Sequence, residues 1–409
     1  MSVPISKISS FNMSLLWFGT AVSIAEILTG TLLAPLGIVQ GICAVVLGHF
    51  IGGAVLFIAG FIGADRNCSS AESVNLFFGR FGSTVFSLLN IVQLIGWITI
   101  MLIIGSEAVN RITDGLWQLP PHTFIWTSIL GLMPCIWIFF KGGCIDKINR
   151  LIMACLFMAS LWLAFNSLFG ENISSAISPQ DSNMNFGLAV ELSVVMCLSW
   201  MPVISDYTHR AQNKIKGTFC AAAAYCFGSS LMYIIGLGSA VHFQTNDICD
   251  IFALSGLGVI ALIVILLSTI TTNFVAINSA SLCFNHLVNR ASVKITFILI
   301  CFLSIVMAYF ISMQQYENFL YFIGAIFAPL FAVLFSEFFL LCNNFGKINT
   351  DKIVIKNCLL WLIGFIIYEY LIDYTTFIGI TFPVMLGIAV CNFIVSQLLS
   401  QKLICVKKF

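Results

Sequence analysis

Apolar runs of helix length follow one another from one end of this 409-residue chain to the other. They fall at about 12–38, 41–64, 82–110, 123–140, 149–169, 186–205, 217–242, 251–285, 293–311, 316–342, 357–372 and 376–400. A helix needs roughly 20 residues to cross the hydrocarbon core of a bilayer. Twelve such spans use up most of the chain and leave only short loops, so a single membrane domain is expected. Charge agrees, because Lys, Arg, Asp and Glu make up only 9% of the residues, against roughly 25% in a soluble domain. So few charges cannot cover a soluble surface, which excludes a soluble enzyme, a nucleic-acid binder and a secreted disulfide scaffold. The net charge of +1 points to no acidic or basic partner. The 15 cysteines show no CxxC spacing and sit mostly inside apolar runs, where Cys behaves as a small hydrophobe. The five histidines form no HExxH-type cluster, so no metal-ligating motif is read.

The loops orient the spans. If the N-terminus lies inside, every Lys and Arg except Arg111 falls in an inside segment, as the positive-inside rule requires. The outside loops carry Asp114, Glu171, Asp181, Asp247, Asp250, Glu317 and Asp373 instead. Both termini are therefore expected in the cytoplasm, with the chain in the inner membrane. The apolar run from Phe11 is too long for the h-region of a cleavable signal.

A lipid-facing helix should be apolar all round, so polar residues at depth mark surfaces of interest. The first span contains AVSIAEILTG, which places Glu26 near its middle. A carboxylate there costs roughly 2.5–3.5 kcal/mol on insertion scales unless it faces a cavity or a partner. Glu26 is read as a substrate or ion ligand, the alternative being a protonated carboxyl bonded between helices. In the third span Gln93 and Trp97 stand four apart and share a face. A Trp ring stacks on a flat heteroaromatic ring and a Gln amide both donates and accepts; the alternative is an interhelical bond beside a packing Trp. Gly96 next to Trp97 leaves room for a close neighbour and favours a cavity. In the sixth span Ser199 and Trp200 precede Pro202, which removes a backbone donor, so either a break at a cavity or a simple kink is expected. Asp206, in SDYTHR, is read as structural or gating. The eighth span crowds Ser268, Thr269, Thr271, Thr272, Asn273, Asn278, Ser279 and Ser281 together. These either line a site or back-bond and pack within the bundle. Gly48 and Gly52 form a GxxxG packing match, and His49 between them is read as a satisfied polar group. Glu107 is assigned to an outer vestibule, and Glu191, Glu337 and Glu369 to helix ends near the interface.

Polar or interrupted helices one and six stand five apart, which inverts their direction in the membrane. That is the pattern of transporters built from inverted repeats. The segments LLWFGTAVSIAEILTGTLLAPLGIVQG, VLGHFIGGAVLFIAGFIGA, FSLLNIVQLIGWITIMLIIG and SDYTHRA resemble the nucleobase–cation symporter-1 family, in particular its CytX branch of hydroxymethylpyrimidine transporters. The resemblance runs over nearly the whole chain. It implies an all-α, polytopic, LeuT-like fold of 12 transmembrane helices. Residues 1–170 and 186–342 would form the two inverted repeats, and 357–401 two additional helices. It further implies that Trp97 stacks on the substrate ring, Gln93 hydrogen-bonds it and Trp200 closes over it. Asn273 or Asn278 would read its polar edge. A sodium site would join the carbonyls of Val22 and Ala25 to Ser268, Thr271 and Thr272.

The expected function is secondary active import of a pyrimidine, foremost hydroxymethylpyrimidine, a thiamine precursor, by symport with Na⁺ or H⁺. No organic cofactor and no obligate protein partner are expected; the partners are the small-molecule substrate and the lipid bilayer. A cytosine, purine or allantoin permease of the same family is the alternative. An intramembrane enzyme and a channel are the rivals of another class, but no Ser–His or paired-Asp spacing supports catalysis. An aminopyrimidine offers an exocyclic N–H beside a ring nitrogen, which a carboxyl group matches at two points. Glu26→Gln is therefore predicted to lower uptake far more than it lowers expression. Wild-type uptake in that variant, with protein quantified in the same membranes, would contradict a role for Glu26.

Overall fold

The computed structural model describes residues 7–137, 142–169, 184–288, 292–341, 351–374 and 376–406. Its elements are α1 (Ser10–Ala21), α2 (Ile24–Leu32), α3 (Gly37–Arg66), α4 (Ser70–Trp117), α5 (Thr123–Trp137), α6 (Gly142–Phe169), α7 (Phe186–Leu198), α8 (Met201–Thr208), α9 (Lys214–Phe243), α10 (Ile248–Phe252), α11 (Val259–Leu287), α12 (Val293–Phe310), α13 (Tyr316–Leu341), α14 (Asp351–Leu371) and α15 (Thr381–Val406). Ten helical spans among the described residues are long and apolar enough to cross a membrane, and the bent pair α1–α2 makes an eleventh. The remaining apolar run, at 123–140, is helical over α5, and residues 138–141 lie outside the described set. The twelve runs of the sequence thus each correspond to a helix or a helix pair.

Two boundaries differ from expectation. The stretch between 64 and 82 is not a loop, because α4 begins at Ser70. Ser69 caps it in a reciprocal box with Glu72, and Gly79 at φ 65° bends it before it enters the apolar part. Asp206 Oδ1 accepts the Ser70 N–H at 2.9 Å, which ties α8 to this helix start. The eighth span begins at Val259 rather than 251, because α10 and a short π-turn over 253–257 intervene. Asp247 caps α10, accepting from the backbone N–H groups of Cys249 and Asp250. Arg111 of α4 reaches across to Asp247 at 2.6 Å and to Asp250. The one basic residue assigned to the outer loops is therefore held by two of the acids assigned there.

The first span is broken as expected. Val22 and Ser23 leave the helix, α2 departs at 55° to α1, and the Ser23 hydroxyl accepts the Ala25 N–H at 3.1 Å to cap α2. The sixth span breaks more gently. Ser199 and Trp200 interrupt α7 and α8 but keep right-handed dihedrals, so the 186–208 stretch runs on as one span. Pro202 stands in the first turn of α8, where its missing N–H has no helical partner to lose.

Glycines let the inner helices touch. A Cβ on Gly30 would lie 2.2 Å from the Tyr233 carbonyl oxygen, and one on Gly236 2.0 Å from that of Ile27. These two positions bring α2 and α9 into backbone contact. Gly48 and Gly52 do the same for α3 against α7, where a Cβ would meet Val190, Ser193 and Cys197, so the GxxxG match is a packing seam.

Two acids assigned to the interface are instead buried. Glu191 Oε1 accepts from the Tyr368 and Thr381 hydroxyls at 2.5 Å each, and Oε2 from the N–H groups of Ile380 and Thr381 at 2.6 and 2.8 Å. It closes the N-terminus of α15, which leaves backbone donors unpaired within its own helix. Glu337 pairs with Lys356 at 2.5 Å, and Ser396 and Asn392 complete the cluster joining α13, α14 and α15. Helix ends predicted from hydropathy miss both, because hydropathy does not register partners on distant helices. Glu369 is exposed. Removing a partner from a buried polar group costs about 1–3 kcal/mol each. Glu191→Ala is therefore predicted to lower the thermal unfolding midpoint in detergent clearly, while Glu369→Ala leaves it unchanged; equal midpoints would contradict the buried cap.

Candidate substrate site

A cavity of about 90 Å³ opens where the two interrupted spans face α4 and α11. Ser23, Ala25 and Glu26 border it from the α1–α2 break, and Ser199 and Trp200 from the α7–α8 break. Gln93 and Trp97 border it from α4, and Thr272 and Asn273 from α11. The breaks matter because each turns backbone and polar side chains toward a space enclosed by protein, where irregular backbone is tolerated at membrane depth.

Of the six residues expected to touch substrate, Glu26, Gln93, Trp97, Trp200 and Asn273 border this one cavity, and Asn278 does not. Gln93 is 2% exposed. Its Nε2 donates to the Ser199 carbonyl at 2.8 Å and to Asn90 Oδ1 at 3.2 Å, while its Oε1 has no partner. Asn273 is 1% exposed, and both its Oδ1 and Nδ2 are without partners. Orphaned buried polar atoms are uncommon and call for an explanation. Here three belong to two residues that border one cavity, which suits a ligand with polar atoms of its own.

The indoles are positioned by other rings. Trp97 meets Phe319 and Tyr316 edge-on, with centroids 5.4 and 6.1 Å away. Trp200 meets Trp17 at 5.8 Å and Tyr225 at 6.0 Å, also edge-to-face. Such pairs add about 0.5–1.5 kcal/mol beyond area burial. Gly96 yields its space to Phe319, whose ring would lie 2.3 Å from an added Cβ, and not to the cavity as the sequence suggested.

Glu26 is 2% exposed, and its carboxyl group is engaged by α9. Its Oε1 accepts from the Tyr225 hydroxyl at 2.7 Å, and its Oε2 lies 2.7 Å from Ser229 Oγ. Ser229 in turn meets His49 Nε2 at 2.6 Å, so His49 is satisfied as expected. Tyr225 and Ser229 went unnoticed in the sequence. They stand some 200 residues from Glu26 on a helix of ordinary hydropathy, with no local spacing to betray them.

The five groups expected around sodium are not gathered by the cavity. Ala25 and Thr272 border it; Val22, Ser268 and Thr271 do not. The Thr271 hydroxyl donates to the Ser268 carbonyl of its own helix at 3.0 Å. The Ala25 carbonyl accepts from Thr29 at 2.7 Å and from Tyr316 at 3.3 Å. Among the described residues no cluster of three His, Cys, Asp or Glu side chains is placed to hold a metal ion.

With this geometry in view, comparison with known proteins decides the family. The profile described as "Permease for cytosine/purines, uracil, thiamine, allantoin" matches residues 6–397. The chain belongs to that family. The cytosine permease of Escherichia coli (strain K12) is 25% identical over 334 residues, covering 80% of this chain and 77% of the relative. The cytosine permease of Escherichia coli O157:H7 matches over the same shares. Among solved structures, the inward-facing conformation of Mhp1 aligns with a TM-score of 0.80 at 16% identity, over 98% of this chain and 94% of that one. Mhp1, described as a nucleobase-cation-symport-1 family transporter, in a closed conformation with bromovinylhydantoin bound, gives 0.73 at 16% identity, over 98% and 96%. A Na⁺-coupled sialic acid symporter in a substrate-bound outward-open state gives 0.66 at 13% identity, over 96% and 91%.

The fold class is the one the resemblance implied, a LeuT-like helical membrane transporter. The permease is a multi-pass membrane protein and a nucleobase-type transporter, not an enzyme. The relatives carry cytosine in their names, not hydroxymethylpyrimidine, so the broader reading displaces the narrower one.

Proposed function

We propose that this permease imports a small planar nucleobase of the cytosine type across the inner membrane by cation symport, with both termini in the cytoplasm. The observation that carries this is the set of unpartnered atoms, Gln93 Oε1 and Asn273 Oδ1 and Nδ2, on a cavity bordered by Trp97 and Trp200. Cytosine presents an amine and a ring N–H as donors and a carbonyl and a ring nitrogen as acceptors. Two open acceptors and one open donor on the protein suit such an edge. An indole at the cavity wall suits the flat face.

In this reading Gln93 and Asn273 define polarity, and Trp97 stacks. Trp200 covers the ring from the α7–α8 break. Thr272 borders the cavity beside Asn273; Asn278, Val22, Ser268 and Thr271 take roles in a loaded site that has rearranged. Glu26 keeps one lone pair on each oxygen beyond those used by α9, so it accepts a donor without surrendering Tyr225 or Ser229. The cytosine permeases among the relatives support cytosine over hydroxymethylpyrimidine. Residues 1–170 and 186–342 serve as the two inverted repeats, whose relative movement alternates access to the cavity.

Proteoliposome counterflow with labelled cytosine, competed by uracil, a purine, allantoin, thiamine and hydroxymethylpyrimidine, tests the substrate. Competition is expected from flat rings that carry both donors and acceptors. Asn273→Leu is predicted to weaken counterflow by roughly 5–150-fold, the cost of about 1–3 kcal/mol for a lost buried partner, with unchanged folded yield. Exchange that ignores every ring tested, or an Asn273→Leu variant with wild-type exchange, would overturn the reading.

A further inference from the structure

His49 on α3, Ser229 on α9 and Glu26 on α2 form one continuous chain, and all three are buried. His49 Nδ1 lies 3.0 Å from the Val45 carbonyl oxygen and Nε2 lies 2.6 Å from Ser229 Oγ, which is 2.7 Å from Glu26 Oε2. The hydrogens of this chain can be counted. A carbonyl oxygen only accepts, so Nδ1 must carry a hydrogen. The two remaining contacts, Nε2 to Oγ and Oγ to Oε2, each need one, and the serine hydroxyl supplies a single hydrogen. The second must sit on Glu26 Oε2 or on His49 Nε2. Tyr225 does not supply it, because its hydroxyl serves Oε1 and lies 3.3 Å from the Met196 carbonyl.

Both placements hold the same number of protons and are neutral overall. One is a carboxylic acid beside a neutral imidazole; the other is a carboxylate beside an imidazolium. The two interconvert without a net change. The carboxyl proton moves from Oε2 to Oγ while the serine hydrogen moves to Nε2. Glu26 ends as carboxylate, Ser229 still holds one hydrogen and His49 ends with two.

We propose that Glu26, Ser229 and His49 bind one exchangeable proton and that this proton is the ion coupled to transport, a step that rests on the transport reading above. Glu26 borders the cavity, so the proton has a path to whatever water the cavity admits. When it leaves, one serine hydrogen faces two acceptors. One contact must then fail, and Ser229 gives up its hydrogen bond either to Glu26 on α2 or to His49 on α3. Proton occupancy is thereby linked to the hydrogen bonding of α2, the second half of a span already broken at Val22–Ser23. The other titratable side chains facing Glu26 are Tyr225 and Tyr233 of α9, Cys197 of α7 and Tyr316 of α13. Among the described residues no Lys or Arg lies in ion-pair contact with Glu26, so His49 is its one basic counterpart through Ser229. The carbonyl of Ala25, needed for a sodium shell, already receives two hydroxyls.

Proteoliposomes separate the two claims. Counterflow of labelled cytosine needs no gradient and reads transport alone. Accumulation under an inward pH gradient at equal sodium, with the internal pH followed by a trapped dye, reads coupling. Wild type is expected to accumulate cytosine with entry of protons. Ser229→Ala is expected to keep counterflow and to lose pH-driven accumulation by about 5-fold or more, the low end of ordinary coupling between sites. Accumulation that follows sodium alone, or a Ser229→Ala variant that still accumulates with the pH gradient, would overturn the proposal. If no ring shows counterflow, the transport reading fails separately. Infrared titration of the purified protein then decides the site. A protonated-carboxyl band lost in Glu26→Gln and displaced in His49→Gln supports it, and a band indifferent to His49→Gln refutes it.

Discussion

Inside a helical bundle that faces lipid, a polar group finds a partner in the protein or pays heavily for having none. That constraint orders this structure. Glu191 satisfies it by closing the start of α15, and Glu337 by pairing with Lys356. Glu26 satisfies it through Tyr225 and Ser229 on α9. Each buried acid thereby fastens separate helices to one another. At Gln93 and Asn273, two of the residues where the constraint is left unmet, the cavity lies.

The same constraint explains why broken helices and polar side chains occur together. The α1–α2 break exposes backbone that only a protein-lined cavity accommodates, and Ser23 caps the second half from within it. Backbone contact at Gly30 and Gly236 holds α2 on α9, which is the contact that brings Ser229 and Tyr225 up to Glu26. A larger residue at either glycine would part the helices and strand the carboxyl group. Packing and site chemistry are in this respect one feature.

Much of the architecture was legible from the chain alone. Hydropathy located each span, and the 9% charge made Glu26 conspicuous. Glu26, Gln93, Trp97, Trp200 and Asn273 were all singled out, and they border one cavity. What stayed hidden has a common cause. The amphipathic start of α4 carries too few apolar residues to register as a span, and α10 is too short. Glu191 and Glu337 looked like interface residues because their partners lie on α14 and α15. His49, Ser229 and Tyr225 are separated by up to 180 residues, and no single helix shows that they meet. Register also limited the reading, since Asn278 lies five residues beyond Asn273 and off the cavity.

The central claim is that the unpartnered atoms of Gln93 and Asn273 receive the polar edge of a flat ring. A structure of the cytosine-loaded protein by electron cryomicroscopy tests this most directly. The account predicts ring density against Trp97, with nitrogen or oxygen atoms at hydrogen-bond distance from both Gln93 Oε1 and the Asn273 amide. A ring bound elsewhere, with those three atoms still unpartnered, would contradict it.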